Sequence, residues 1–325
     1  MAASELTPTL TLAERVGDLV RIPSVNPLQA GPTSGSDGEV AMTNWLAERA
    51  SDLGADVTLD EVIDGRKNVY ARFEGQSDRV VTIDVHLDTV GVEHMTDPAF
   101  DGRIENDRVY GRGSVDTKAS LAIVLSVIEE MQAAGERPMP TLNVVGTVAE
   151  EMGGLAGAGG YRDWLDKHGS HIDQMIVAEP TNCAPVHGHK GGLGLDITVH
   201  GHAAHSSKPH LGQNAISAAG RIIAAIDAEE DRLSAQDAPT AVGNWHGRGA
   251  RDPSAELIRT LGELAGTEPD VASYGSNALQ YANVASEIVV FGPGSIDQAH
   301  QAVEWIDISE IERAAMIYRT WLRAG

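Results

Sequence analysis

Residues 80–90 read VVTIDVHLDTV. The first six, Val80–Val85, are rich in β-branched side chains and predict a strand. His86 and Asp88 then follow directly on that strand. Working outward, four more short aliphatic runs appear, at Val69–Phe73, Leu142–Val148, Gln174–Val177 and Glu287–Phe291. Helical spacing of apolar residues falls at 11–23, 38–53 and 120–134, and a last helix is expected over 308–322. Strands alternating with helices predict an α/β layered fold. No internal repeat or low-complexity tract interrupts the pattern.

Four of the runs lead into a His or a carboxylate. Besides His86 and Asp88, Glu150 and Glu151 follow Leu142–Val148, Glu179 follows Gln174–Val177, and His300 follows Glu287–Phe291 after a GPGS turn. Open α/β sheets bind ligands beyond the carboxyl ends of their strands. Asp116, in the loop GRGSVD (111–116) ahead of a helix, adds a further carboxylate. Taken singly, each residue has a plainer reading. A lone HxD is commonly surface polarity, a Glu–Glu pair a solvated helix face, and an isolated His a hydrogen-bonded structural residue. Their conjunction at strand ends is what points to chemistry.

Two His and several carboxylates form a nitrogen and oxygen donor set suited to zinc, cobalt or manganese. More carboxylates than one ion needs points to two metals sharing a bridging Asp, a pair that polarises a carbonyl and activates water. One of Glu150 and Glu151 can then ligate while the other acts as general base. Asp88, two residues beyond His86, fits a carboxylate that orients a metal-bound imidazole.

Composition narrows the alternatives. The 325 residues carry 47 Asp and Glu against 24 Lys and Arg, for a formal charge of −23. Such a chain is repelled by a phosphate backbone, and no basic patch offsets this, so no nucleic-acid partner is expected. The single Cys (Cys183) excludes a disulfide framework and a thiolate zinc knot. The N-terminal MAASELTPTL has no secretory pattern and no apolar run is long enough to span a bilayer, so a cytoplasmic protein without membrane contact is expected.

The strings HLDTV (86–90), DPAFDGRIENDRVYGRGSVDTK (97–118), EEMGG (150–154), AEPT (178–181), GHAAHSSKP (201–209) and GPGSIDQAH (292–300) occur in the order of the M20 metallopeptidase family, which the chain resembles from about residue 19 to 322. EPTNCAPVHGHKG and GPGSIDQAHQAVEWID are most similar to its acetylornithine deacetylase branch, beside succinyl-diaminopimelate desuccinylase. The resemblance implies a three-layer α/β/α zinc-peptidase-like catalytic domain with a mixed, mostly parallel sheet, plus a small α+β lid. It implies two divalent metal ions, Zn2+ by default with Co2+ or Mn2+ as alternatives. His86 and Glu179 hold one, Glu151 and His300 the other, and Asp116 bridges. Glu150 is then the general base, Asp88 orients His86, and His205 is the lid histidine that stabilises the oxyanion, reaching a partner subunit's site in family dimers. The reaction implied is hydrolysis of an amide in a small N-acyl amino acid. A dipeptidase or carboxypeptidase is the runner-up, and a lid-deficient metal-binding protein with little turnover a third reading.

One departure from the family stands out. Residues 193–200 (LGLDITVH) alternate like a half-exposed strand, 213–229 read as an Ala/Ile-rich helix, and 239–247 look like the start of a second lid strand. The family's remaining lid, with its GG…N-x-V-P segment and its Arg for the substrate carboxylate, is missing. The expected division is therefore a catalytic domain in two parts, 1–189 and 251–325, interrupted by a partial lid and dimerisation segment at 190–250. The resemblance implies a homodimer, of whose usual edge the incomplete lid supplies only part. A lone strand and helix is expected to leave apolar surface exposed. The block also holds half of the chain's 12 His (His187, His189, His200, His202, His205 and His210), but no carboxylate anchors them, so structural or surface roles are expected for most.

Overall fold

Strand β3 (Val80–His86) lies inside an eight-stranded sheet of the computed structural model, which describes residues 11–35, 38–191, 196–234 and 252–324. Its period-two alternation decides the layering. Val81, Ile83 and Val85 turn to one face and are fully buried, while Thr82, Asp84 and His86 turn to the other. A strand covered on both faces reads as a continuous apolar run, which is why 80–85 was legible.

The sheet order is β1 (Asp56–Ile63), β2 (Arg66–Phe73), β6 (Thr141–Thr147), β3, β7 (Ile172–Val177), β10 (Ala285–Val290), β8 (Val186–His189), β9 (Asp270–Ala272). The four adjacent strands β6, β3, β7 and β10 are mutually parallel. Their carboxyl ends therefore share one edge. The β1–β2 hairpin joins β6 antiparallel, and β8 joins β10 antiparallel. A second sheet pairs β11 (Trp305–Asp307), β5 (Arg108–Tyr110) and β4 (Ile104–Glu105).

One face of the large sheet is covered by α1 (Leu12–Val20), α2 (Val40–Asp52), α3 (Ala119–Ala133), α6 (Glu256–Ala265) and α7 (Ile308–Ala324). Helix α3, ASLAIVLSVIEEMQA, is apolar on nearly all sides because it packs against the sheet, α1 and α7 together. The other face carries α4 (Ala156–His168) and a smaller core around Tyr70, Tyr161, Met175 and Tyr281. The result is the three-layer, mixed and largely parallel α/β/α arrangement expected. All five strand readings correspond to observed strands. The hairpin strand β1, the short strands and α4 were not anticipated. β1 is half exposed without strong apolar patterning, and α4 opens on the glycine-rich AGAGG, which weakens any helical signal.

The segment after β8 differs from expectation in part. Of the strand expected at 193–200, the described residues 196–200 form no strand. The helix reading holds, as α5 (Ala215–Ser234). Its Ile216, Ile223 and Ile226 are 83%, 58% and 54% exposed, so apolar surface is exposed here among the described residues. The second lid strand expected at 239–247 lies outside the described residues. Among the described residues no helix is long and apolar enough to cross a membrane.

Candidate metal centre

Each expected ligand leaves a different element and arrives at the shared strand edge. His86 is the last residue of β3, Glu151 follows β6, Glu179 follows β7 and His300 follows β10. Asp116 comes from the helical turn Ser114–Lys118 that leads into α3. The side chains form two groups with one common member, His86–Asp116–Glu179 and Asp116–Glu151–His300, and within each the potential ligand atoms lie no more than 4.8 Å apart. Asp116 faces one imidazole with each oxygen: Oδ1 is 2.9 Å from His86 Nε2 and Oδ2 is 3.2 Å from His300 Nε2. His300 Nε2 also lies 3.1 Å from Glu151 Oε2. His86, Asp116 and Glu179 are buried, Glu151 is partly exposed, and His300 is at the mouth.

The tautomer of His86 supplies a test of fit. Its Nδ1 lies 2.9 Å from the backbone carbonyl of Asp88, and a carbonyl only accepts, so Nδ1 carries the proton. In the neutral ring Nε2 then presents a lone pair to the Asp116 carboxylate. Two acceptors at that distance require a positive charge between them, whether a proton or a metal ion. The electrostatics say the same. Burial opposes the charged His86 ring, but the carboxylates of Asp116, Glu150 and Glu179 together outweigh it and hold the imidazole well above its ordinary value. Hydrogen bonds to Asp116 and Glu151 push His300 up to about 10. Burial and the crowded carboxylates raise Glu179 well above the usual range and Glu150 to about 8, with His86 opposing both. The donor set therefore fits divalent cations: it is an acidic, buried cluster that demands positive charge.

Glu150 belongs to neither group of ligands, although it adjoins Glu151. The geometry also revises how Asp88 acts. Its carboxylate Oδ1 is 3.7 Å from His86 Nδ1, so the ring is oriented by the Asp88 main chain. The carboxylate instead accepts the backbone N–H groups of Glu150 (3.1 Å) and Glu151 (3.0 Å) and the Asn26 amide (2.7 Å). A second buried carboxylate, Glu39, accepts the N–H of Ala149 at 3.1 Å and is held in turn by Arg66. Ala149 sits at φ +62°, a conformation unfavourable to a residue with a Cβ. Glu39 and Asn26 were not anticipated as site residues. Glu39 stands at the start of α2, where an acid reads as an ordinary first-turn residue.

His205 lies outside both groups. It is exposed in the loop 201–215, its Nδ1 2.8 Å from Ser207 Oγ, beside a cavity of about 370 Å3 that His202 and Asn214 also line. His200, His202 and His210 are likewise away from both groups, and His189 is buried with Nε2 2.9 Å from Ser276 Oγ.

The chain is similar to known proteins along most of its length. An acetylornithine deacetylase of Aliivibrio salmonicida is 24% identical, covering 89% of this chain and 92% of its own. That alignment runs to 364 residues, more than the 325 of the chain, so the relative carries segments with no counterpart here. A probable carboxypeptidase of Aspergillus clavatus is 32% identical over 211 residues, 62% of this chain and 46% of that protein. Among solved structures, an M20 family metallo-carboxypeptidase from Sulfolobus solfataricus superposes with a TM-score of 0.71 at 15% identity, covering 97% and 99% of the two chains. A tripeptidase from Staphylococcus aureus does so with a TM-score of 0.70 at 17% identity, covering 96% and 97%. The family model for peptidase family M20/M25/M40 matches residues 82–324, from the strand that carries His86 to the last helix, and the chain belongs to this family of metal-dependent hydrolases.

Proposed function

We propose that the chain hydrolyses the amide bond of a small N-acyl amino acid, with two divalent cations held at the strand edge. His86 and Glu179 would hold one, Glu151 and His300 the other, with Asp116 shared between them. The observation that carries this reading is that one buried carboxylate faces both histidines while Glu150 is left outside both groups. When bound, such a pair supplies Lewis-acid polarisation of the carbonyl and a water acidic enough to attack near neutral pH. Zn2+, Co2+ and Mn2+ all suit the donor set.

Glu150 handles the proton. As a carboxylate it takes the proton from the attacking water as the new C–O bond forms. It then returns that proton to the amide nitrogen as the C–N bond breaks, giving a carboxylic acid and a free amine. The Asp88 carboxylate keeps Glu150 in place by accepting its backbone N–H. His205 is the candidate to steady the developing oxyanion, from the lid of this or a partner subunit. The deacetylase reading, favoured over a dipeptidase or carboxypeptidase, is supported by the match to an acetylornithine deacetylase, which covers 89% of this chain and 92% of that protein.

A second reading, metal binding with little turnover, is favoured by the exposed isoleucines of α5 and by the longer relative. One experiment separates the two. The metal-loaded protein is assayed on a panel of N-acetyl amino acids and dipeptides, alongside Glu150→Gln. Hydrolysis that falls about 10²–10⁴-fold in the variant, with metal content unchanged, supports the hydrolase. A metal-loaded protein inert on the whole panel supports the second reading.

A further inference from the structure

Arg112 and Glu304 form an ion pair that is 1% exposed at each residue and touches no potential ligand. Its outer contacts fall one residue away from two of them. Glu304 Oε1 accepts the N–H of Val115 at 3.1 Å, immediately before Asp116. Arg112 Nη2 donates to the carbonyl of Gln301 at 3.3 Å, immediately after His300. Arg112 Nη2 also lies 3.3 Å from His94 Nε2, and that ring nitrogen is 2.9 Å from the carbonyl of His300 itself. His300 needs such support, because it is a non-glycine residue at φ +61°.

We infer that the Arg112–Glu304 pair is a positioning device that sets the spacing between Asp116 and His300, and so builds one cation position selectively. The inference rests on the two-cation reading above. His86 and Glu179 draw their support elsewhere. The His86 ring is fixed by the Asp88 carbonyl, and Glu179 follows Ala178, whose N–H is paired with the Asp84 carbonyl at 2.8 Å. Losing the pair therefore acts first on His300, which only the Asp116–Glu151–His300 group contains, whereas the shared Asp116 stays paired with His86 at 2.9 Å in the other group. Groups that support metal ligands typically change affinity by about 10–100-fold when removed.

The test is titration of the metal-stripped full chain with Co2+, followed by bound-metal analysis and the visible absorbance of the bound ion. Arg112→Met/Glu304→Leu replaces a buried ion pair by apolar residues of similar volume, an exchange that is commonly neutral for stability. The unsubstituted chain should bind two ions. The double variant should keep one at unchanged affinity and bind the other about 10–100-fold more weakly. Glu304→Gln retains an oxygen for the Val115 N–H and should hold both. Should the double variant not fold, Arg112→Lys decides on the same readout, because a single ammonium does not span Glu304 and the Gln301 carbonyl as the fork does. Two ions at unchanged affinity in a folded variant, or equal weakening of both, overturns the inference. Fewer than two ions on the unsubstituted chain instead overturns the two-cation reading, and the inference falls with it.

Discussion

Three successive amides, those of Ala149, Glu150 and Glu151, are held by two buried carboxylates, Glu39 and Asp88. Replacing Asp88 by Asn removes the charge from a carboxylate that two backbone amides and the Asn26 amide all address. On the hydrolase reading, Asp88→Asn should lower kcat by about 10–100-fold with little change in KM, measured by steady-state kinetics on an N-acetyl amino acid. An equal rise in KM alone would contradict this role. His189 permits a prediction about pH. Burial depresses its basicity below the ordinary histidine value, with the Lys190 carbonyl opposing. The unfolded chain therefore binds the extra proton first, and stability is lost as pH falls from about 6.5 toward the folded value, by up to about 1.4 kcal/mol per pH unit. Denaturant melts of His189→Gln should show a shallower acid limb than the unsubstituted chain.

Elements differ in how much their residues matter. Ile83 on β3 and Ile223 on α5 are the same residue type in opposite settings, fully buried and 58% exposed. Ile83→Ala should cost about 2–5 kcal/mol in a denaturant melt, whereas Ile223→Ala should change stability by less than about 1 kcal/mol. A large loss at Ile223 would mean that α5 is covered in solution. The turn after β10 is constrained by backbone approach. A Cβ at Gly292 would meet the Glu179 carbonyl oxygen at 2.6 Å and Ser120 Oγ at 3.0 Å. Gly292→Ala should therefore destabilise the fold by about 1–3 kcal/mol. It should also weaken metal uptake, because the displaced backbone belongs to Glu179.

At the scale of the molecule, four of the 47 acidic residues meet as one cluster at the strand edge, and most of the charge of −23 lies elsewhere. Asp116, Glu150, Glu151 and Glu179 crowd one edge of the sheet, and the ion pairs they make among the described residues are to His86 and His300. Divalent cations that bind only the folded state should raise the melting temperature with the logarithm of free metal above Kd, a stabilisation of about 2.7 kcal/mol at a hundredfold excess over Kd. Stripping metal with a chelator should lower the melting temperature, and re-adding Zn2+ should restore it. Unfolding midpoints indifferent to both would argue against cations at this edge.

The central strands are legible in the linear sequence, and the five residues expected as metal ligands come together at one sheet edge. A doubly covered strand must be apolar throughout, and a polar residue that follows it must reach the sheet edge or solvent. Tertiary structure alone decided the rest. That Asp116 faces both histidines depends on loops separated by 184 residues in the chain, and no local pattern encodes their distance. Glu39, Arg112 and Glu304 read as ordinary charged residues because their role is to hold backbone amides and carbonyls of other segments. Which atoms of Asp88 do what is also a tertiary matter: its main-chain carbonyl meets the His86 ring and its carboxylate accepts the Glu150 N–H. Periodicity and residue type report which face a side chain takes; which atom it meets across the fold is settled only when the layers pack.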